Sequence, residues 1–160
     1  MLAAGTAVVV TLRKATQQDV GRLTAIAAAA YAPYLARIGR PPAPVTADYA
    51  AQVARGQVWV ADGDSGAVGL LVLVPGPDHL LLENIAVDPA AQGRGVGARL
   101  LATAEEQAAA LGLSEIRLYT NVAMTENLSY YQRHGYAETH RAREDGFDRV
   151  YFSKHLPGSR

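Results

Sequence analysis

The sequence predicts one α/β domain of the α+β type, spanning residues 1–160 and built on a mixed, mainly antiparallel sheet. Three observations carry that prediction. Short β-branched runs in the middle of the chain are separated by tight-turn signals, the pattern of an antiparallel meander. A long amphipathic helical pattern then stands between two strand-like segments, so those strands are expected to lie parallel through a right-handed crossover. The length of 160 residues, 49% of them hydrophobic, suits one well-buried core better than two.

Each element follows in order. VVVTLRKA, residues 8 to 15, is β-branched and short, hence a strand. Thr16 with Asp19 resembles an acidic capping box, and Val20, Leu23, Ala27, Ala30 and Tyr34 then recur at helical spacing. ARIGRPPAPVTADY is rich in Pro, Gly and Arg and is expected to be a surface loop passing over a site. Thr46 to Arg55 reads as a short helix, followed by the strands QVWVAD, AVGLLVLV and HLLLENIAV, joined by the turns DGDSG and PGPD. Val96, Leu100, Leu101, Ala104, Ala108 and Leu111 mark one face of a helix that stops at Gly112, and SEIRLYTN is the next strand. MTENLSYYQRHG gives a last helix with Thr125 as N-cap and Gly135 as its stop, and the remainder is a hairpin around Glu-Asp-Gly.

Composition narrows the function. Lys and Arg number 15 and Asp and Glu 15, with no long block of like charge, so general nucleic-acid or acidic-membrane binding has no support. The absence of cysteine excludes a cysteinyl-enzyme route and thiolate metal sites. The apolar beginning lacks a basic segment and no run spans a bilayer, so a soluble cytoplasmic protein is expected. The four histidines, His79, His134, His140 and His155, have no metal-ligand spacing, and no metal is expected. GDSG echoes a protease nucleophile loop but lies in a turn between strands, with no matching histidine segment.

The stretch NIAVDPAAQGRGVGARLL carries the chemistry. A strand, then glycines, then a helix N-terminus presents unpaired N–H groups and a positive dipole end, which together hold phosphate. A triphosphate loop would need Gly-Lys-Ser/Thr, yet Gly97 is followed by Ala98 and Arg99. Gly93, Gly95 and Ala98 satisfy the dinucleotide pattern, but DPAAQ separates them from the strand, and Glu115 starts rather than ends the next one. The third pattern is Gln-x-x-Gly-x-Gly after an apolar strand ending in Val-Asp-Pro, here Gln92, Gly95 and Gly97 after ENIAVDP. On these residues, and on the order of its elements, the sequence resembles the GNAT superfamily of acyl-CoA-dependent N-acetyltransferases.

The resemblance implies a three-layer α/β/α acyl-CoA N-acyltransferase fold with a centrally splayed sheet, and acetyl-CoA as donor. It implies that backbone N–H groups of Gln92, Gly93, Arg94, Gly95, Val96, Gly97 and Ala98 hold the pyrophosphate, with Arg94 and Arg99 adding charge. The pantetheine arm would lie along Ile85, Ala86 and Val87. ENLSYYQRHGY resembles the family's Asn-(x)n-Tyr-x-x-x-Gly-aromatic segment, placing Asn127 against that arm and Tyr131 as general acid. Glu83, on the face of Ile85 and Val87, would be the base, since transfer to an amine needs the amine unprotonated and the leaving thiolate supplied with a proton.

Other readings stand beside these. Tyr131 follows Leu128 at helical spacing and could be a core aromatic, Tyr130 is expected to be structural, and Glu83 could be a strand-edge carboxylate. Arg94 and Arg99 could be solvated helix-end arginines. Glu126 and Tyr119 are spare proton-handling candidates. The acceptor side would be lined by Tyr31, Tyr34, Arg37 and Tyr119, with Arg40, Pro41 to Pro44 and the Asp145 to Phe147 turn. An aromatic and basic wall there favours a small primary amine carrying an acidic or polar group. The alternatives are a protein N-terminal or lysine acetyltransferase, a non-catalytic acyl-CoA-binding sensor, or a nucleotide-binding oxidoreductase. A homodimer is compatible with the resemblance.

Overall fold

The computed structural model describes residues 8–157. Its strands are β1 (Thr11–Lys14), β2 (Val58–Gly63), β3 (Gly66–Pro75), β4 (Leu80–Val87), β5 (Glu115–Asn121), β6 (Ala137–Glu144) and β7 (Phe147–His155). They form one seven-stranded sheet in the order β1-β2-β3-β4-β5-β7-β6, antiparallel throughout except for β4 beside β5. The helices are α1 (Val20–Tyr31), α2 (Leu35–Ile38), α3 (Ala43–Thr46), α4 (Tyr49–Ala54), α5 (Val96–Ala110) and α6 (Thr125–Arg133). No helix among the described residues is long and apolar enough to cross a membrane.

Strand β3, nearly all apolar, is buried on both faces and divides the core. Leu70 and Val72 face Leu23, Ile26 and Ala27 of α1 and Tyr49 of α4, while Leu71 and Leu73 face Leu100, Leu101, Ala104 and Ala108 of α5. Leu111, expected on that same α5 face, is exposed. The backbone of β3 comes close to α5 at Gly69, where an added Cβ would stand 3.1 Å from Val96 Cγ1 and 3.2 Å from Leu100 Cδ1. The start of α1 is pinned by charge. Asp19 accepts from the Thr16 N–H at 2.7 Å and clamps Arg13 at 2.8 and 2.9 Å, and Arg13 also reaches Asp62 of β2.

The meander, the crossover and the final hairpin stand where the sequence places them, the hairpin turning through Asp145 and Gly146, both with positive φ. Four local expectations are corrected. Residues 8–10 lie outside β1, and the Val8 N–H instead donates to the Arg94 carbonyl at 3.1 Å. The Pro/Gly/Arg-rich loop contains α2, ended by Gly39 at φ +88, and α3, whose Pro44 lies in the first turn, where no N–H is needed. The helix expected from Thr46 begins at Tyr49 because Asp48 caps it, accepting from the Ala51 N–H at 3.0 Å. Met124 rather than Thr125 is the N-cap of α6.

The irregularity that shapes the rest lies in β4. Val72 pairs with Asn84 and Leu73 with Leu82, so Glu83 is an extra, bulged residue. Side-chain alternation reverses there, which corrects the expectation that Glu83 shares a face with Ile85 and Val87. Those two pack toward the α5 cluster, whereas Glu83 and Asn84 both turn toward α4. Beyond the pairs Leu80 with Ile116 and Leu81 with Arg117, β4 and β5 part company. Replacing Gly69 by Val is expected to lower unfolding stability by about 1–3 kcal/mol through overpacking, read as a shift in denaturant midpoint.

Candidate active site

Two cavities open where β4 and β5 separate. The first, of about 390 Å³, runs between the glycine loop and α6 and is walled by Ile85, Ala86, Val87, Gln92, Gly93, Gly95, Gly97, Ala98, Asn127, Tyr130 and Tyr131, among others. Gly93 (φ +75) and Gly95 (φ +87) take conformations that other residues adopt only with strain. Gly97 differs from these: a Cβ there would come within 2.7 Å of the Tyr130 hydroxyl, so that ring would have to shift. The N–H groups of Gly93 to Ala98 find no acceptor among the described residues, so the loop and the first turn of α5 offer a row of free donors at a helix N-terminus. That row and the groove behind it fit a phosphate-headed, elongated ligand.

Tyr131 is buried in α6 against Tyr130, Tyr136 and Phe152, yet its hydroxyl makes no hydrogen bond to the described residues and it borders the groove. Burial, with Tyr31 nearby, raises its pKa well above that of an ordinary phenol. It is therefore both a core aromatic and a protonated donor on the groove wall. Asn127 is held by donating to the Thr120 hydroxyl at 3.3 Å.

The second cavity, of about 330 Å³, lies on the α4 side and is lined by Gln52, Arg55, Glu83, Asn84, Tyr119 and Arg149, with Pro42, Pro44, Asp145 and Phe147 at its rim. Glu83 accepts from Gln52 Nε2 at 2.7 Å. The Arg149 guanidinium lies 4.3 Å over the Tyr119 ring and pairs with Glu144 at 3.1 Å. Arg40 bridges from the α2–α3 segment to the hairpin turn, donating to the Asp145 carbonyl and lying 3.8 Å over Phe147. Tyr31 and Met124 border both cavities, so the two meet there.

Several anticipated residues are placed differently. Arg99 turns down its own helix to Thr103 at 2.9 Å, and Arg94 is exposed and borders neither cavity, which agrees with the solvated reading of both. Val96 contributes its backbone, its side chain being buried in the core. Tyr34 borders the groove rather than the second cavity. Arg37 borders neither, because it is spent on Glu126 at 2.7 and 3.0 Å. Side chains approach the carbonyls along the groove: the Tyr31 hydroxyl stands 3.3 Å from Ile85 O, and Val87 O receives Gln92 Nε2 at 3.1 Å.

Sequence reasoning missed Asn84, Tyr49 and Arg55, and it undervalued Tyr130. The residues of α4 and its two caps that border the cavity, Asp48, Gln52 and Arg55, recur at helical spacing, which is a signal the sequence contained. Among the described residues no group of His, Cys, Asp and Glu is placed to hold a metal ion.

The family model described as Acetyltransferase (GNAT) domain matches residues 54–138, and the chain belongs to that family. A solved structure of the PaiA N-acetyltransferase of Thermoplasma acidophilum, in complex with coenzyme A, superposes with a TM-score of 0.77 at 20% identity, covering 92% of this chain and 99% of that one. The ribosomal-protein-S18-alanine N-acetyltransferase of Escherichia coli superposes with a TM-score of 0.74 at 20% identity, covering 92% of this chain and 94% of that one. Nourseothricin acetyltransferase is 27% identical with a TM-score of 0.59, over 62% of this chain and 65% of that one. No curated protein sequence gives a significant match. The fold is thus that of the acyl-CoA N-acyltransferases.

The Arg37 guanidinium holds the Glu126 carboxyl down to about 2. A lowered pKa means the pair persists above the ordinary carboxylate range and is lost as pH falls toward that value. In Arg37→Gln the Glu126 titration followed by NMR is expected to move back up toward about 4.3.

Proposed function

We propose that this protein transfers an acetyl group from acetyl-CoA directly to a primary amine of a small molecule, both substrates being bound together. The observation that carries this reading is the meeting of the two cavities at Tyr31, with the free Tyr131 hydroxyl on one side and the Glu83 carboxylate on the other. The first cavity takes the acyl donor, because its donor row at Gly93 to Ala98 suits the pyrophosphate and its length follows the splayed edge of β4. The second takes the acceptor. The Arg40 bridge closes part of its rim, which suits a small molecule better than a peptide needing an open groove.

Acetyl-CoA, when bound, supplies the thioester carbonyl and the thiolate that leaves. Glu83 takes the proton that the amine loses as its nitrogen bonds to that carbonyl, directly or through one water, and passes it to solvent. Tyr131, kept protonated by burial, donates to the sulfur as the carbon–sulfur bond breaks and regains its proton afterwards. Asn127 and Tyr130 hold the donor arm from α6, and the carbonyl-bearing edge at Ile85 and Val87 holds it from β4. Tyr119 and Arg149 form the acceptor wall opposite Glu83.

The test is calorimetric titration with acetyl-CoA, then thiol release with glycine, glutamate, tyramine, spermidine and short peptides. Saturable binding and amine-dependent release are expected. Tyr131→Phe and Glu83→Gln should each lower kcat about 10²- to 10⁴-fold while leaving acetyl-CoA affinity unchanged. Binding with no turnover on any amine would favour a sensor of acyl-CoA instead.

A further inference from the structure

Building on the assignment of the two cavities, we propose that Tyr31 is a fixed hydrogen-bond acceptor for the attacking amine, and that Asn84 and Tyr49 are positioning residues that set its polarity. Pro44 O, on the rim of the acceptor cavity, receives the Tyr49 hydroxyl, its one donor among the described residues. A phenol has a single proton, so the Tyr49 oxygen can only accept from its other neighbour. That neighbour is Asn84 Nδ2, at 2.8 Å.

The Asn84 amide is thereby oriented, and its Oδ1 faces Tyr31 at 2.9 Å. The second protein group at the Tyr31 hydroxyl is the Ile85 carbonyl at 3.3 Å, also an acceptor. Both contacts demand the one proton Tyr31 has, so only lone pairs remain for the junction of the cavities. Turning Asn84 over would leave Pro44 O without its donor, in a network where Tyr49 is 2% and Asn84 5% exposed. Burial raises the pKa of Tyr31 and pushes that of Tyr49 up to about 12, so neither phenol ionises at neutral pH.

The consequence is chemical. An amine that gives one N–H to Tyr31 and another to Glu83 keeps its lone pair for the carbonyl in the groove. Tyr31, uncharged, holds that amine without favouring the unreactive ammonium form as a second carboxylate would. The relay also ties the cap of the acceptor cavity to the bulged strand, since Pro44, Tyr49, Asn84 and Tyr31 come from four separate segments.

Two measurements test this on the full chain. In the NMR spectrum of the labelled protein, Asn84 side-chain amide hydrogens should show contacts to the Tyr49 ring and not to Tyr31. In Tyr49→Phe, where the amide loses its acceptor, those contacts should move to Tyr31. With the best amine of the panel, Tyr31→Phe and Tyr49→Phe should each raise the amine KM about tenfold, while the calorimetric Kd for acetyl-CoA changes less than about twofold. A merely structural role would move both constants together. Contacts of the wild-type amide to Tyr31, or an unchanged amine KM in both variants, would overturn the proposal. Absence of turnover by the wild-type chain would refute the acetyltransferase reading instead, and the amide contacts would still decide the polarity.

Discussion

The structure depends on one extra residue in one strand. Because Glu83 is bulged out of the β3–β4 ladder, β4 changes which residues it shows to each face halfway along its length. Before the bulge it is an ordinary core strand beside β5. After it the two strands separate, and the sheet gains a gap with unpaired edges in its middle rather than at its margin. A gap of that kind is costly unless something hydrogen-bonds to its edges. Here side chains do part of that work, with Tyr31 on Ile85 O and Gln92 on Val87 O.

Two consequences follow from the same bulge. Glu83 and Asn84, adjacent in sequence, can both turn toward α4, so a carboxylate and an amide enter the second cavity from one strand. Below them, Ile85 and Val87 pack toward α5, the helix whose N-terminus carries the free donors of the glycine loop. Charged bridges then fasten the α2 region to its neighbours: Arg37 to Glu126 of α6, Arg40 to the hairpin turn. Exposed pairs of this sort add little stability, but as bidentate or ring-stacked contacts they fix orientation. The core on either side of β3 supplies the rigidity, with α1 and α5 each packed on the central strands.

How much of this was legible in the sequence differs from feature to feature. The glycine loop was, because its demands fall on the backbone: Gly93 and Gly95 need positive φ, and Gly97 needs room beside Tyr130. The place of Tyr131 and Asn127 on the groove wall was, because one helix carries both at fixed spacing. The bulge was not, since HLLLENIAV reads as one uninterrupted strand and a register shift belongs to the pairing rather than to the strand alone. The contacts of Arg37 with Glu126 and of Arg99 with Thr103 were not legible for a related reason, as a long flexible cation is claimed by the nearest acceptor, which sequence spacing did not single out. Asn84 and Tyr49 were invisible as a pair because 35 positions separate them, and only the fold brings their polar atoms to 2.8 Å. The α2 and α3 turns were hidden by proline and glycine, which mark helix ends as readily as loops.

The central claim is that the free donors of the glycine loop and the splayed edge of β4 form one binding surface for acetyl-CoA. The measurement that tests it most directly is a titration of the isotopically labelled protein with coenzyme A, following backbone amide resonances. The account predicts that the amides of Gly93 to Ala98 move first and furthest and become protected from exchange, with Ile85 to Val87 and Asn127 following at the same midpoint. Shifts centred on the Arg55 and Arg149 side, or none at the loop, would contradict it.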